Sequence, residues 1–270
     1  MRLRMNAIVG LPIVVLMGAA AVVAVFWTPH DPLRTRIRGR FQAPSAEHWL
    51  GTDEFGRDVL SRLMDGAQVS FTVAALTVAF AIVLGTAVGL SAGFVRGWTD
   101  RLLMAVNDAM LAFPGLLLAL GLMIVLGPGV VSIVLALGLA YTPSVVRVVR
   151  GTVLSLREKE FVEASRVIGN SETRTMLVHV LPNCVAPIAV LATSMFGWVV
   201  LSESALSFLG LGVPPPAPTW GNMLAAARPH METAIWLSIA PGACIALTLL
   251  GVNLLGDALR DRLDPRMSRA

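Results

Sequence analysis

The sequence predicts an all-α integral membrane protein with six transmembrane helices, and two observations carry that prediction. Of its 270 residues 56% are hydrophobic and only 14% are charged, well under the roughly 25% charge of soluble domains. The apolar residues also fall into long runs with almost no charge, and a helix of about 20 such residues spans a bilayer core while satisfying its own backbone. The runs lie at Ala7–Thr28, Val69–Val95, Leu102–Leu126, Val130–Val146, Pro182–Ser202 and Ala234–Gly256.

Each run has its own justification. "MRLRMN" before the first resembles the basic start of a signal peptide, but the apolar stretch exceeds the roughly 7–15 residues of a signal core, so a retained anchor is expected. The stretch Ala109–Val146 is too long for one span, and Gly127, Pro128 and Gly129 place a tight turn inside it. These runs divide the chain into an N-terminal helix with its following loop, 1–66, and a five-helix core, 67–270, which contains a polar loop at about 151–182.

The net charge of +4 is sorted by membrane side. With a cytoplasmic N-terminus, the inside segments hold fourteen basic residues, among them Arg147, Arg150, Arg157, Lys159, Arg166, Arg174, Arg266 and Arg269; the outside segments hold seven. Both termini are thus expected in the cytoplasm. The cluster "RTRIRGR", Arg34–Arg40, is an exception in a long outer loop of the kind that obeys this rule less strictly.

Between the fourth and fifth spans, on the predicted cytoplasmic side, lies "EFVEASRVIGNSETRTMLVHVLPN" (Glu160–Asn183). Ser155 and Glu158 have capping-box spacing, which predicts a helix start there. Phe161, Ala164, Ser165 and Ile168 share one face, and Gly169 suits a helix end. Asn170 or Ser171 can cap a second short helix through about Val180, and Pro182 fits the first turn of span five. A plain solvated loop needs neither apolar faces nor paired caps. A helix-turn-helix would be pinned to the membrane and lacks a basic recognition helix, so no nucleic-acid partner is expected. The remaining reading is a docking element that passes a push from a cytoplasmic partner into the bilayer.

This segment resembles the EAA loop of ABC-importer permeases, through Glu163, Ala164, Ser165, Gly169, His179, Val180, Leu181 and Pro182. Ser165 replaces the third alanine and His179 a hydrophobic residue; "HVLPN" is similar to the ending of the dipeptide/oligopeptide branch. Leu50–Ser70 and Glu203–Leu224 are similar to signatures of the second permease subunit of that branch. The resemblance implies the type I importer permease fold and a non-catalytic subunit forming half of a path for short peptides. It implies as partners a homologous permease, two ATP-binding subunits or domains, an extracytoplasmic binding protein, and the lipid of a prokaryotic plasma membrane. Nickel chelates or other small solutes are alternative cargoes within the class. An ion-driven secondary transporter is the alternative from another class; it calls for repeats and mid-membrane ionisable groups that the sequence does not show clearly.

No GxxxxGK[ST] loop is present, so ATP falls to partners. No cofactor or metal is expected: Cys184 and Cys244 sit in apolar runs, and His30, His48, His179 and His230 lack ligand spacing. "GTDEFGRD" (Gly51–Asp58) reads as a hydrogen-bonded outer turn or as a binding-protein contact. The proline-rich stretch after span five is expected to fold back on the bundle mouth with Phe208, Leu209 and Trp220, as part of an outer gate. Asp108 and Glu203, near opposite membrane edges, suit capping or inter-helix pairing, or a place in the pathway. Phe113, Pro114 and Asn253 are candidates for packing or pathway lining.

Overall fold

The computed structural model describes residues 2–263, in which the regular structure is helical. The long helices are α1 (Arg2–Ala24), α2 (Val59–Val95), α3 (Gly97–Leu111), α4 (Gly115–Leu126) and α5 (Val130–Leu156). There follow α6 (Glu160–Val167), α7 (Glu172–Arg174), α8 (Leu181–Phe208), α9 (Trp220–Ala227) and α10 (Trp236–Leu263). Five helical stretches are each long and apolar enough to cross a membrane, and α3 with α4 makes a sixth. Arg266 and Arg269, used above for orientation, lie outside the described residues.

Span two starts ten residues earlier than its apolar run. The reason is Asp58, whose Oδ2 accepts from the Ser61 amide at 2.8 Å and from Ser61 Oγ at 2.7 Å, capping α2 at Val59. The division between residues 66 and 67 therefore falls within α2. Burial works against ionisation of Asp58, yet hydrogen bonds from His48 and Ser61 outweigh it and hold its carboxyl below the usual range. Asp58→Ala removes the cap and strands buried His48; a loss of about 2 kcal/mol, at the upper end for caps, is expected as a lower melting temperature.

Span three is broken: α3 and α4 meet at 92°. Pro114 lacks an N–H and disfavours helical geometry at Phe113, so the chain turns there instead of merely bending. Span four runs ten residues past Val146, because its arginines are paired across to α3. Arg150 Nε and Nη2 reach Asp100 at 2.6 and 2.8 Å, and Arg147 Nη2 reaches Asp108 at 2.9 Å. No helix starts at Ser155 as its spacing suggested; α5 continues to Leu156, and α6 begins at Glu160 without a side-chain cap.

Span five is one continuous helical path from Glu172 to Phe208. Ser171 Oγ caps its start, accepting from the Arg174 amide at 3.3 Å. The expected separate second helix is instead joined to α8 by a π-helical turn, Thr175–Val180, in which the Leu181 amide reaches back to the Met176 carbonyl. That wider turn lets the helix run through Pro182.

α2 and α5 form the most extensive pair, α1 lies on α10 and α2, and α8 packs between α10, α2 and α5. After α8 the chain folds back as expected through Trp220, which is 1% exposed; its indole donates to the Leu63 carbonyl at 3.0 Å. Thr219 and Asn222 form a reciprocal capping box at the start of α9. Leu209 departs from the expectation and stays exposed, and Phe208 lies at the surface with the Arg228 guanidinium 5.3 Å from its ring.

Candidate functional site

The loop from Lys159 to Val180 is held by a polar lattice. Ser165, buried on α6, has its Oγ 2.9 Å from Thr175 Oγ1 and accepts from Asn170 Nδ2 at 3.1 Å. Arg166 makes a two-pronged pair with Glu172, at 3.0 and 3.2 Å. Gly169 closes the turn between the two helices with φ +85°, a left-handed conformation that glycine adopts without strain.

The loop is also tied to the end of α2. Arg157 Nη1 donates to the Phe94 carbonyl at 3.0 Å, and the guanidinium groups of Arg157 and Arg166 lie 6.0 and 5.7 Å from the Phe94 ring. Displacing α6 therefore loads two places at once: α8, through Thr175 and the π-turn, and the α2–α3 elbow, through Phe94.

The buried face of α6 is not the one that its apolar residues suggest. Val162 and Ser165 point inward, while Phe161, Ala164 and Ile168 point outward. Val167 and Ile168 are 84% and 79% exposed. Helical periodicity groups residues on a face without saying what covers it; here hydrogen bonds let a serine serve as the inward contact. Glu163 is exposed beside this apolar face.

The other motif residues are spread along the fifth span. His179 is half-buried in the π-turn, where its carbonyl accepts from Asn183 Nδ2 at 2.7 Å; Leu181 is half-buried and Pro182 exposed. Arg157, Phe94, Asn170 and Thr175, absent from the predicted set, complete the arrangement. A signal for Arg157 was present in the sequence, as a cation just beyond a span, but its partner is a backbone carbonyl and leaves no pattern.

The six pathway candidates do not converge. Asp108 is exposed and paired with Arg147. Phe113 and Pro114 are exposed at the α3–α4 break. Glu203 is fully buried, its carboxylate accepting from Ser207 Oγ at 2.7 Å and Ser70 Oγ at 3.1 Å, so it ties α8 to α2. Phe208 lies beneath Arg228, and Asn253 is half-buried on α10 opposite Gly197.

The fold and this site define a bundle of membrane-crossing helices that mounts a short helix, α6, with an outward-facing apolar patch. The chain belongs to the family described as the binding-protein-dependent transport system inner membrane component, which residues 81–269 match. It is 43% identical over 261 residues to the dipeptide transport system permease protein DppC of Alkalihalophilus pseudofirmus, covering 97% of this chain and 86% of the relative. It is 42% identical over 271 residues to the di/tripeptide permease DppC of Pseudomonas aeruginosa (98% and 89%) and 40% identical over 255 residues to the glutathione permease GsiD of Escherichia coli (94% and 84%).

The fold is similar to a chain of the MetNI methionine ABC transporter in an inward-facing conformation, with TM-score 0.63 and 16% identity over 75% of this chain and 96% of that one. The protein is thus an ABC-importer permease subunit, a multi-pass inner-membrane component from a family whose permeases are non-catalytic. The ion-driven alternative gives way to this membership.

Proposed function

We propose that the chain forms one half of an ATP-driven path for short peptides. In this reading a homologous permease completes the path, two ATP-binding subunits or domains dock on α6 from the cytoplasm, and an extracytoplasmic binding protein delivers the cargo. The termini then lie in the cytoplasm of a prokaryotic cell. Phe113, Pro114 and Asn253 are proposed to line or gate the path and Phe208 to guard its outer mouth, with Asp108 and Glu203 holding the helices around it.

The observation that carries this reading is the outward apolar face of α6, mounted on α8 and α2 by Ser165, Thr175 and Arg157. A short helix with Val167 and Ile168 almost fully in solvent is an interface awaiting a partner. Peptides are favoured over nickel chelates or other small solutes because the relatives' names specify dipeptides, di/tripeptides and glutathione.

The test is uptake of a labelled dipeptide by the reconstituted complex, with ATP hydrolysis followed in parallel. Gly169→Val forces a β-branched residue into a left-handed conformation, with about 1–2 kcal/mol of strain. It is expected to weaken ATPase docking and uptake while leaving membrane insertion intact. Normal coupled transport in this variant would remove the docking reading, and uptake of a nickel chelate but no peptide would replace the cargo.

A further inference from the structure

We infer that His30, His48 and Asp58 form a binding site for one divalent transition-metal ion of the zinc class, clamping the exit of α1 to the start of α2. The sequence scatters these residues over 29 positions, and the fold brings one ligand atom from each to within 4.8 Å of the others. Asp58 Oδ1 lies 2.8 Å from His48 Nδ1 and 3.6 Å from His30 Nδ1. An ion bound tetrahedrally at about 2.0 Å from its ligands holds them about 3.3 Å apart, a spacing that these two distances bracket.

Two further observations point to a ligand. His30 Nδ1 is buried and has no hydrogen-bond partner among the described residues, although its ring stands 4.7 Å from that of His48 beside a carboxylate. A neutral imidazole in that place directs a lone pair or an unused N–H into protein, which is costly unless something answers it. The carboxylate is also pre-oriented: Ser61 holds Asp58 Oδ2 through its amide and hydroxyl, and the same hydroxyl accepts from the His30 backbone amide at 2.9 Å. Outer contacts of this kind fix the direction of metal ligands.

The local charge permits a cation. Arg62, one turn along α2, spends its guanidinium on the Pro32 carbonyl at 3.3 Å and on Asp53 at 3.5 Å. Two imidazoles with one carboxylate suit zinc, cobalt, nickel or copper, whereas magnesium and calcium call for oxygen ligands. On binding, His48 takes the tautomer with its proton on Nε2, so that a neutral imidazole presents the Nδ1 lone pair to the ion. Three protein ligands leave a fourth position for water.

The site stands apart from the peptide-transport reading, since only the geometry of the loop and the start of α2 is involved. The intact importer complex, stripped with a chelator, is titrated with Co²⁺ and then Zn²⁺ while visible absorption is recorded. One Co²⁺ per chain is expected, with the intense bands of a low-coordinate site that Zn²⁺ abolishes. His30→Ala keeps the backbone tie to Ser61 and is expected to weaken binding by more than the roughly 10–100-fold that outer-contact changes cost. His30→Gln serves as the second variant should the alanine protein not assemble. Metal sites on other subunits cancel in the comparison with wild type. No ion bound by the wild-type complex, or unchanged affinity in the assembled variant, overturns the assignment.

Discussion

Gly89→Leu is expected to leave little folded protein in the membrane. Along α2, Gly85, Gly89 and Gly93 face Val145, Val149 and Val153 of α5, each series advancing by four residues. A Cβ on these glycines would lie 2.5, 2.8 and 2.9 Å from the opposing valine Cβ atoms, and at Gly89 also 2.9 Å from the Val146 carbonyl oxygen. Lipid supplies no hydrophobic drive to hold two helices together, so close van der Waals approach between small residues must do it.

Overpacking costs about 1–3 kcal/mol where side chains can yield. Here part of the obstacle is the α5 backbone, so the helices must part along the whole face, and the cost lies at or beyond the top of that range. The yield of monodisperse protein and the melting temperature measure it. Gly89→Leu with wild-type values for both would refute the packing described, while partial recovery in Gly89→Leu/Val149→Ala would locate the clash.

The second large effect is expected from Phe161→Asp combined with Ile168→Asp on the outward face of α6. Ile168 is 79% exposed and Phe161, 41% exposed, keeps part of its ring against the protein, so the isolated subunit should lose about 1 kcal/mol, the typical cost of a single change. Docking should lose about 2 kcal/mol or more, as when a hot-spot residue is removed, which is roughly thirtyfold in affinity. Co-purification of the ATP-binding subunits and substrate-stimulated hydrolysis read this out. Undiminished association would move the docking surface away from α6.

The loop proposed for docking was legible as a place, though not as a surface. Ser171, Gly169 and Pro182 marked it because a helix cap, a left-handed turn and a proline near the start of α8 each leave a local trace. Which face of α6 turns inward left no such trace, since it depends on Thr175 and Asn170 reaching Ser165 from beyond the turn. Ser155 misled for the opposite reason: its local spacing suits a cap, but α5 continues because Asp100 and Asp108 neutralise the arginines that seemed to end it.

By itself the sequence determined that this protein lives in a bilayer, with six apolar segments and a capped polar loop between the fourth and fifth. Lipid leaves unsatisfied backbone no alternative to helices, so composition and run length are enough to reveal them. Tertiary structure alone decided that the glycines of α2 meet the valines of α5, and that His30, His48 and Asp58 share one corner. Each of these depends on atoms far apart in the chain being brought within a few ångströms, and that information resides in packing.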